Sequence, residues 1–183
     1  MEDSPVIALY RPQIPPNTGN IGRLCVAIQS PLYIVGRSPI LLDQKSVRRA
    51  GLDYWQFVDV HKVERFKHFY EQMESRRIVA FTKSSGENSG KNRCVNVWDF
   101  TFKKGDVLLF GNETAGLPPR LLKLVKNHVY IPMWGQEIRS LNLANSVSIA
   151  AYEYLRQIVP AQLRDGIDVE RTYYKKPTYN ERT

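Results

Sequence analysis

Short apolar runs alternate along this chain with stretches in which apolar residues recur at helical spacing. The runs are nearly unbroken and rich in β-branched residues, and they predict buried strands at Val6–Tyr10, Leu32–Val35, Ile78–Thr82, Val107–Phe110 and Val129–Ile131. The periodic stretches predict helices at Asn20–Gln29, Lys62–Met73, Pro118–Lys126 and Leu143–Ile158. This alternation predicts an α/β fold, a mostly parallel sheet with helices on both faces.

The apolar periodicity stops at Pro160 and divides the chain into two parts. We expect residues 1–159 to form one domain and the polar, tyrosine-rich residues 160–183 to form a C-terminal extension, since 183 residues suit one domain plus a short addition. Ser84–Asn92 is polar and contains glycine, which predicts a surface loop.

Three polar loops each follow a predicted strand and lead into a predicted helix. Parallel sheets bind their ligands outside the carboxyl ends of the strands, so these loops are the candidate binding site. In sequence order they are Pro12–Arg23, Leu109–Pro118 and Pro132–Asn142.

In the first loop, the pair Pro15–Pro16 stiffens the backbone, and the side chain of Asn17, Thr18 or Asn20 is predicted to cap the next helix. Arg23 is expected about one turn into that helix, on the side that faces the loop. A guanidinium there can bind a phosphate or a carboxylate through two hydrogen bonds. A strand-to-helix turn needs similar residues in any case, so this loop alone is a weak signal.

The second loop places a carboxylate, Glu113, between two glycines. Gly111 ends a strand where a ligand would need close backbone approach, Gly116 permits a turn, and Pro118 suits the first position of a helix. The structural alternative for Glu113 is an interaction with the positive end of a helix dipole.

In the third loop, Ser140 and Asn142 stand just before the apolar-periodic run that begins at Leu143. Both are residue types that cap helices, so their side chains and the first free N–H groups are expected to face the loop. This geometry suits a polar ligand, and an ordinary strand–loop–helix connection is the alternative.

The charge of the chain adds a partner class to this picture. Lys and Arg total 26 against 18 acidic residues, which gives a net charge of +8 and favours polyanions, nucleic acid first. DNA, RNA, an anionic membrane and a basic surface without a partner all remain open on charge alone. The basic residues cluster at Lys45, Arg48 and Arg49, at Lys91 and Arg93, at Lys103 and Lys104, and at Arg120, Lys123 and Lys126.

Several chemistries lack the residues they need. Cys25 and Cys94 stand far apart, which predicts neither a disulfide framework nor a zinc site and fits a reducing cytoplasm. Gly86–Asn92 is one residue short of a phosphate-binding loop, and Ser140 has no plausible His–Asp partners. No apolar run approaches the roughly 20 residues that span a membrane. Metal is not expected either, because the histidines are scattered without ligand spacing, at His61, His68 and His128.

Taken together, the segments NTGNIGR, FGNETAGLP and IPM…RSLNLANSVSIAAYE resemble the three motifs of the SPOUT (TrmH-like) RNA 2′-O-methyltransferases, over residues 5–158. A fourth segment, Val47–Trp55, is similar to one typical of members that act on the tRNA wobble nucleotide. The resemblance implies 2′-O-methylation of the ribose at position 34, a cytidine or a modified uridine, with tRNA as partner. Neither a metal nor a membrane is implied.

The resemblance also implies a C-terminal trefoil knot and a homodimer in which each active site is completed across the interface. Knots are almost absent from other proteins, so the alternation of strands and helices could not have predicted one. The implied cofactor is S-adenosylmethionine, with S-adenosylhomocysteine as product, on Phe81, Gly111, Ile131, Met133, Ser140 and Leu141. The catalytic motif positions fall on Arg23, Glu113, Ser140 and Asn142.

Arg23 is the family's usual candidate base, but a guanidinium resists deprotonation because its pKa exceeds about 12. We therefore expect Arg23 to orient the ribose hydroxyl and stabilise developing alkoxide charge. Methylation at another tRNA or ribosomal RNA position is one alternative, and a non-catalytic RNA-binding protein is another. A small-molecule methyltransferase would leave the net charge of +8 unexplained.

Overall fold

The computed structural model describes residues 4–39, 53–83 and 94–159. The predicted surface loop Ser84–Asn92, the C-terminal extension 160–183 and most of the Val47–Trp55 segment lie outside the described residues. The basic residues Lys45, Arg48, Arg49, Lys91 and Arg93 lie outside them as well. Predictions that concern these segments stay predictions.

The described strands form one sheet of seven, in the order β3-β2-β1-β6-β4-β7-β5. Every neighbouring pair in it is parallel, which confirms the predicted α/β class with a mostly parallel sheet. The strands are β1 (Val6–Tyr10), β2 (Leu32–Val35), β3 (Val60–Val63), β4 (Ile78–Phe81), β5 (Cys94–Asn96), β6 (Val107–Phe110) and β7 (Asn127–Tyr130).

The helices lie on both faces of this sheet, as predicted, and the longest agrees with its predicted bounds. They are α1 (Pro15–Ala27), α2 (Phe66–Gln72), α3 (Pro119–Leu122) and α4 (Leu143–Ile158), with a short 3₁₀ helix at Asp53–Phe57. Within the described ranges, no helix is long and apolar enough to cross a membrane.

Some predicted bounds were wrong for physical reasons. Helix α1 begins at Pro15, five residues before the predicted start, because proline lacks an N–H that the first turn of a helix leaves unbonded anyway. Strands β3 and β5 were missed because they lie at the two edges of the sheet, where half-exposed strands need no continuous apolar run. Lys62 and Val63 therefore belong to β3 rather than to a helix. Strand β7 ends at Tyr130, so Ile131 lies just beyond it.

Alternate residues of the central strands pack into two separate cores, one on each face of the sheet. On one face, Ile7 and Leu9 pack with residues of α1 and α4. On the other, Ala8 packs with residues of α2 and α3. Because both faces of β1 are buried, its five residues are all apolar and inaccessible. Cys25 belongs to the first core, and its burial raises the pKa of the thiol to about 12, so it stays protonated and packs as an apolar group.

Candidate cofactor and catalytic site

The three motif loops meet around one cavity at the carboxyl edge of the sheet. The cavity measures about 430 Å³ and lies between the ends of β4, β6 and β7 and the starts of α1 and α4. Its position agrees with the rule that parallel sheets bind ligands outside the carboxyl ends of their strands. Its walls are formed by Ile14, Asn17, Phe81, Thr82, Lys83, residues 110–117, Ile131, Met133, residues 140–143 and Ser146.

All six residues predicted to hold the cofactor line this cavity. The rings of Phe81 and Phe110 stack with centroids 4.7 Å apart, at the ends of neighbouring strands. Ser140 and Leu141 also line the cavity, just before α4. The wall therefore combines apolar surface with a hydroxyl and with the polar start of a helix.

Gly111 is required by the shape of the second loop. A Cβ atom at this position would collide with the backbone of Gly116 and Leu117. The loop turns back on itself because Asn112 Oδ1 accepts hydrogen bonds from the N–H groups of Thr114 (3.1 Å) and Ala115 (2.6 Å). This tight turn brings the backbone of the loop to the cavity wall.

Glu113 is bound to the first loop through both of its carboxylate oxygens. Oε2 accepts a hydrogen bond from the N–H of Gln13 (2.9 Å), and Oε1 accepts from the N–H of Ile14 (3.0 Å) and from Asn17 Nδ2 (3.0 Å). Partial burial is the largest single influence on the pKa of Glu113 and would raise it, but the hydrogen bonds together hold that pKa below its ordinary value. The carboxylate is therefore ionised at neutral pH and joins the second loop to the N-terminal end of α1.

This arrangement corrects the predicted capping of α1. Its N-cap is Ile14, whose side chain cannot cap, and the side chain that meets the free N–H groups there comes from Glu113 instead. Asn17 lies within the helix, and Thr18 is fully buried with its hydroxyl unbonded among the described residues. The structural alternative considered for Glu113, a partner of a helix N-terminus, is thus what the structure contains.

Asn17 joins the first and third loops. Asn142 Nδ2 donates to Asn17 Oδ1 (2.9 Å), while Asn142 Oδ1 accepts from the N–H groups of Ala144 (2.8 Å) and Asn145 (3.3 Å), so Asn142 caps α4 as predicted. The backbone donors at one end and the Glu113 carboxylate at the other allow only one orientation of each amide group. The sequence assigned no site role to Asn17, because its place next to a helix start indicated capping only.

Arg23 is the one predicted catalytic residue that does not line the cavity; Glu113, Ser140 and Asn142 all do. Since α1 begins at Pro15, Arg23 stands about two turns into the helix rather than one. It is exposed, and its guanidinium lies over the ring of Tyr54, 4.6 Å from the ring centroid. The Arg23 side chain is thus not part of the cavity wall of its own chain.

The 3₁₀ helix is docked on α1 by two aromatic residues. The hydroxyl of Tyr54 donates to the carbonyl oxygen of Gly19 (2.9 Å), and Trp55 packs directly against Gly22, where a Cβ atom would collide with the indole. The described end of the Val47–Trp55 segment therefore contacts the helix that carries Arg23. The family resemblance singled out this segment as typical of wobble-nucleotide enzymes, but it did not predict that the segment contacts α1.

No group of three or more His, Cys, Asp or Glu residues could hold a metal ion within the part of the chain that the structure describes. The two cysteines are free thiols in different environments, one buried and one half-buried.

Comparison with known proteins shows which family the chain is similar to. Residues 4–152 match the model of the SpoU rRNA Methylase family. The tRNA (cytidine(34)-2'-O)-methyltransferase of Escherichia coli K12 is 39% identical over 155 residues, which cover 83% of this chain and 92% of that protein.

Solved structures of methyltransferases are similar to this chain as well. One that concerns the 2-OH methylation of C/U34 on tRNA is 37% identical with a TM-score of 0.74, and covers 86% of this chain and 97% of the other. The SpoU methyltransferase AviRb from Streptomyces viridochromogenes, in complex with the cofactor AdoMet, is 30% identical with a TM-score of 0.70, and covers 86% of this chain and 58% of the other. The match spans both the sheet and the three motif loops, and the chain therefore belongs to the SpoU rRNA methylase family.

Proposed function

We propose that the protein is a methyltransferase that uses S-adenosylmethionine to methylate the ribose 2′-hydroxyl of the wobble nucleotide of tRNA, a cytidine or a modified uridine at position 34. The observation that carries the proposal is the convergence of three motif loops on one cavity, held together by the Glu113–Asn17–Asn142 hydrogen bonds. Two relatives named tRNA (cytidine(34)-2'-O)-methyltransferase are 40% and 39% identical to this chain over most of its length. The net charge of +8 suits an RNA substrate.

The cavity fits the proposed cofactor. Its volume of about 430 Å³ lies within the range of small-molecule sites, roughly 300–1,000 Å³. Bound there, S-adenosylmethionine supplies an electrophilic methyl group. Gly111 forms part of the cavity wall, Phe81 and Leu141 offer apolar surface, and Ser140 offers an exposed hydroxyl. We assign cofactor binding to Phe81, Gly111, Ile131, Met133, Ser140 and Leu141.

The catalytic assignments differ in what the residues contact. Glu113 and Asn142 act by positioning, because both are already hydrogen-bonded within the network that joins the loops. Ser140 is exposed on the cavity wall and is free to meet the cofactor or the ribose. Arg23 orients the ribose hydroxyl and stabilises the charge that develops on its oxygen.

Arg23 also supports a composite active site. It lies outside the cavity of its own chain, and exposed apolar side chains are present at the N-cap of α1, the helix that carries Arg23, and on α4: Ile14, Ile149 and Tyr152. We propose a homodimer in which these faces meet and Arg23 of one chain reaches the cavity of the other.

We also propose that the segment after β6 is threaded as a trefoil knot, which an experimental chain trace tests.

Methylation mapping tests the activity. We expect purified protein, S-adenosylmethionine and tRNA unmodified at position 34 to yield one 2′-O-methyl group at that nucleotide, found by nuclease digestion and mass spectrometry. Arg23→Ala should abolish the product while cofactor affinity is retained, because Arg23 does not line the cavity. Near-full activity in Arg23→Lys would contradict positioning through two guanidinium hydrogen bonds.

Mixed dimers test the composite site. Gly111→Ala disrupts the second loop, which forms part of the cavity wall, since a Cβ there collides with the backbone of Gly116, whereas Arg23→Ala leaves the cavity intact. Each variant alone is expected to be inactive, and a mixture that exchanges subunits should regain up to about a quarter of wild-type activity, through the one intact site of each heterodimer. A mixture that shows subunit exchange but stays inactive would place Arg23 and the cavity in the same chain's site.

A ribosomal RNA target is the second candidate function, and the family description, which names rRNA methylation, is what favours it. The same mapping on ribosomal RNA decides between them. A product there and none at position 34 of tRNA would keep the chemistry and change the substrate.

A further inference from the structure

Two tryptophans stack on each other at the carboxyl edge of the sheet and stay largely exposed. The ring centroids of Trp98 and Trp134 lie 5.9 Å apart with their planes at 29°, and the residues are 55% and 79% exposed. The remaining tryptophan, Trp55, is buried. An exposed pair of indoles presents a large apolar surface, which soluble domains keep for an interaction.

The pair lies beside the cavity. Trp98 follows β5 and Trp134 follows β7, which are parallel neighbours with Asn96 opposite Tyr130. Both rings therefore project from the edge of the sheet that also holds the cavity. Trp134 directly follows Met133, a residue of the cavity wall, so the stacked pair begins one residue from the proposed cofactor site.

The backbone holds Trp98 in place. Its N–H donates to Asn96 Oδ1 (3.1 Å), and the N–H of the preceding Val97 donates to the carbonyl oxygen of Tyr130 (2.9 Å). Val97 itself is completely buried. The anchored backbone fixes the position from which the indole projects, and stacking on Trp134 restrains the ring, which reduces the entropy lost when a ligand binds.

We propose that Trp98 and Trp134 form a stacking platform for an unpaired base of the RNA substrate, next to the nucleotide whose ribose enters the cavity. This inference rests on the proposed function, because that activity brings a single-stranded RNA loop to this edge. Aromatic side chains stack on any base, since every base has a π-face. The platform then adds affinity without selecting a sequence.

The charges near the pair indicate a base rather than a phosphate. Asp99 follows Trp98 and is exposed, and the exposed Glu137 lies near the backbone at Gly135, beside Trp134. Two carboxylates disfavour phosphate at this spot, while the net charge of +8 attracts the RNA as a whole. Losing the indoles should therefore weaken binding without altering its dependence on salt.

The dissociation constant of tRNA unmodified at position 34, measured over a range of salt concentrations, tests the platform. We expect Trp98→Ala and Trp134→Ala each to weaken binding by about 5- to 150-fold, with the phenylalanine variants close to wild type. The slope of log Kd against log salt should stay unchanged. Leu124→Ala is the matched control, because Leu124 is 53% exposed and precedes β7 at the opposite edge of the sheet.

Wild-type affinity in the double alanine variant would overturn the platform. So would a loss of cofactor affinity of equal size, which would assign the pair to the cofactor site, or a change in molecular mass, which would assign it to a contact between subunits. If wild-type protein binds RNA but does not methylate tRNA, the proposed function fails alone. In that case indole fluorescence of Trp55→Phe, whose only tryptophans are Trp98 and Trp134, provides the test. Quenching by a single-stranded oligoribonucleotide but not by its duplex would support the platform, and no quenching by the single strand would overturn it.

Discussion

Tyr54 fixes the direction of the guanidinium on which the proposed chemistry depends. Its ring lies under Arg23 and its hydroxyl is anchored to Gly19, on the same helix that carries Arg23. A flexible side chain held over an aromatic face loses less entropy when it engages a ribose than one that moves freely in water. Tyr54 is thus a positioning residue.

Tyr54→Leu removes the ring and is expected to lower kcat by about 2- to 30-fold with KM for the cofactor unchanged, since a cation–π contact is worth about 0.5–2 kcal/mol. Tyr54→Phe keeps the ring and should stay near wild type. Single-turnover methylation measures the effect. Tyr70→Leu is the control. Tyr70 lies on α2, and its hydroxyl also donates to a backbone carbonyl, that of Leu124. An unchanged kcat in Tyr54→Leu would show that Arg23 works without the ring.

At the scale of elements, the apolar pattern predicted the strands that are buried on both faces and the longest helix. These elements were predictable because short apolar runs rich in β-branched residues favour buried strands, and a long stretch with a clear helical period favours a helix. The six cofactor residues came from the family resemblance rather than from the apolar pattern, and all six line the cavity. The edge strands and the start of α1 could not be predicted, because half-exposed strands and proline-containing turns leave a weaker pattern. The bond from Glu113 to Gln13 joins residues 100 positions apart, which no local pattern reveals.

Glu113→Gln tests how strongly this bond holds the second loop to α1. The pKa of Glu113 lies below its ordinary value of 4.5, so its stabilisation is complete above that value and is lost as the pH falls through the lower, folded-state pKa. At neutral pH the glutamine amide would place a donor against backbone donors. We expect the free energy of unfolding to fall by about 1–3 kcal/mol.

Denaturant unfolding at neutral pH and at a pH well below 4.5 measures this difference, which should shrink in acid. Glu71→Gln serves as the reference, because Glu71 forms an exposed pair with Lys67, 3.7 Å apart. A difference that does not change with pH would mean that the charge of Glu113 is unimportant and only its shape matters.

At the scale of the whole molecule, the net charge and the cavity contribute to binding at different distances. The net charge of +8 acts at long range on any RNA, while the cavity and the loops around it act only on what has already arrived. The basic residues Lys123 and Lys126 lie near the start of β7, away from the cavity edge, so the attraction is not confined to the site.

We therefore expect tRNA affinity to fall steeply as salt concentration rises, with a log–log slope that reports the number of phosphates neutralised. Cofactor affinity should hardly change over the same range, because the proposed cofactor site consists mainly of backbone and apolar groups. Isothermal titration at several salt concentrations measures both. A parallel loss of the two affinities would indicate instead that salt disturbs the fold.

The order of the strands also bears on how the chain is made. Strand β1 lies between β2 and β6, and Val6 pairs with Val107, about 100 residues later in synthesis. A ribosome adds roughly 5–20 residues each second, so one edge of β1 waits roughly 5–20 s for its partner. During that time an entirely apolar strand has unbonded backbone groups along one side. The emerging polypeptide is therefore most exposed to aggregation before β6 leaves the ribosome, and it depends most on chaperones in that interval.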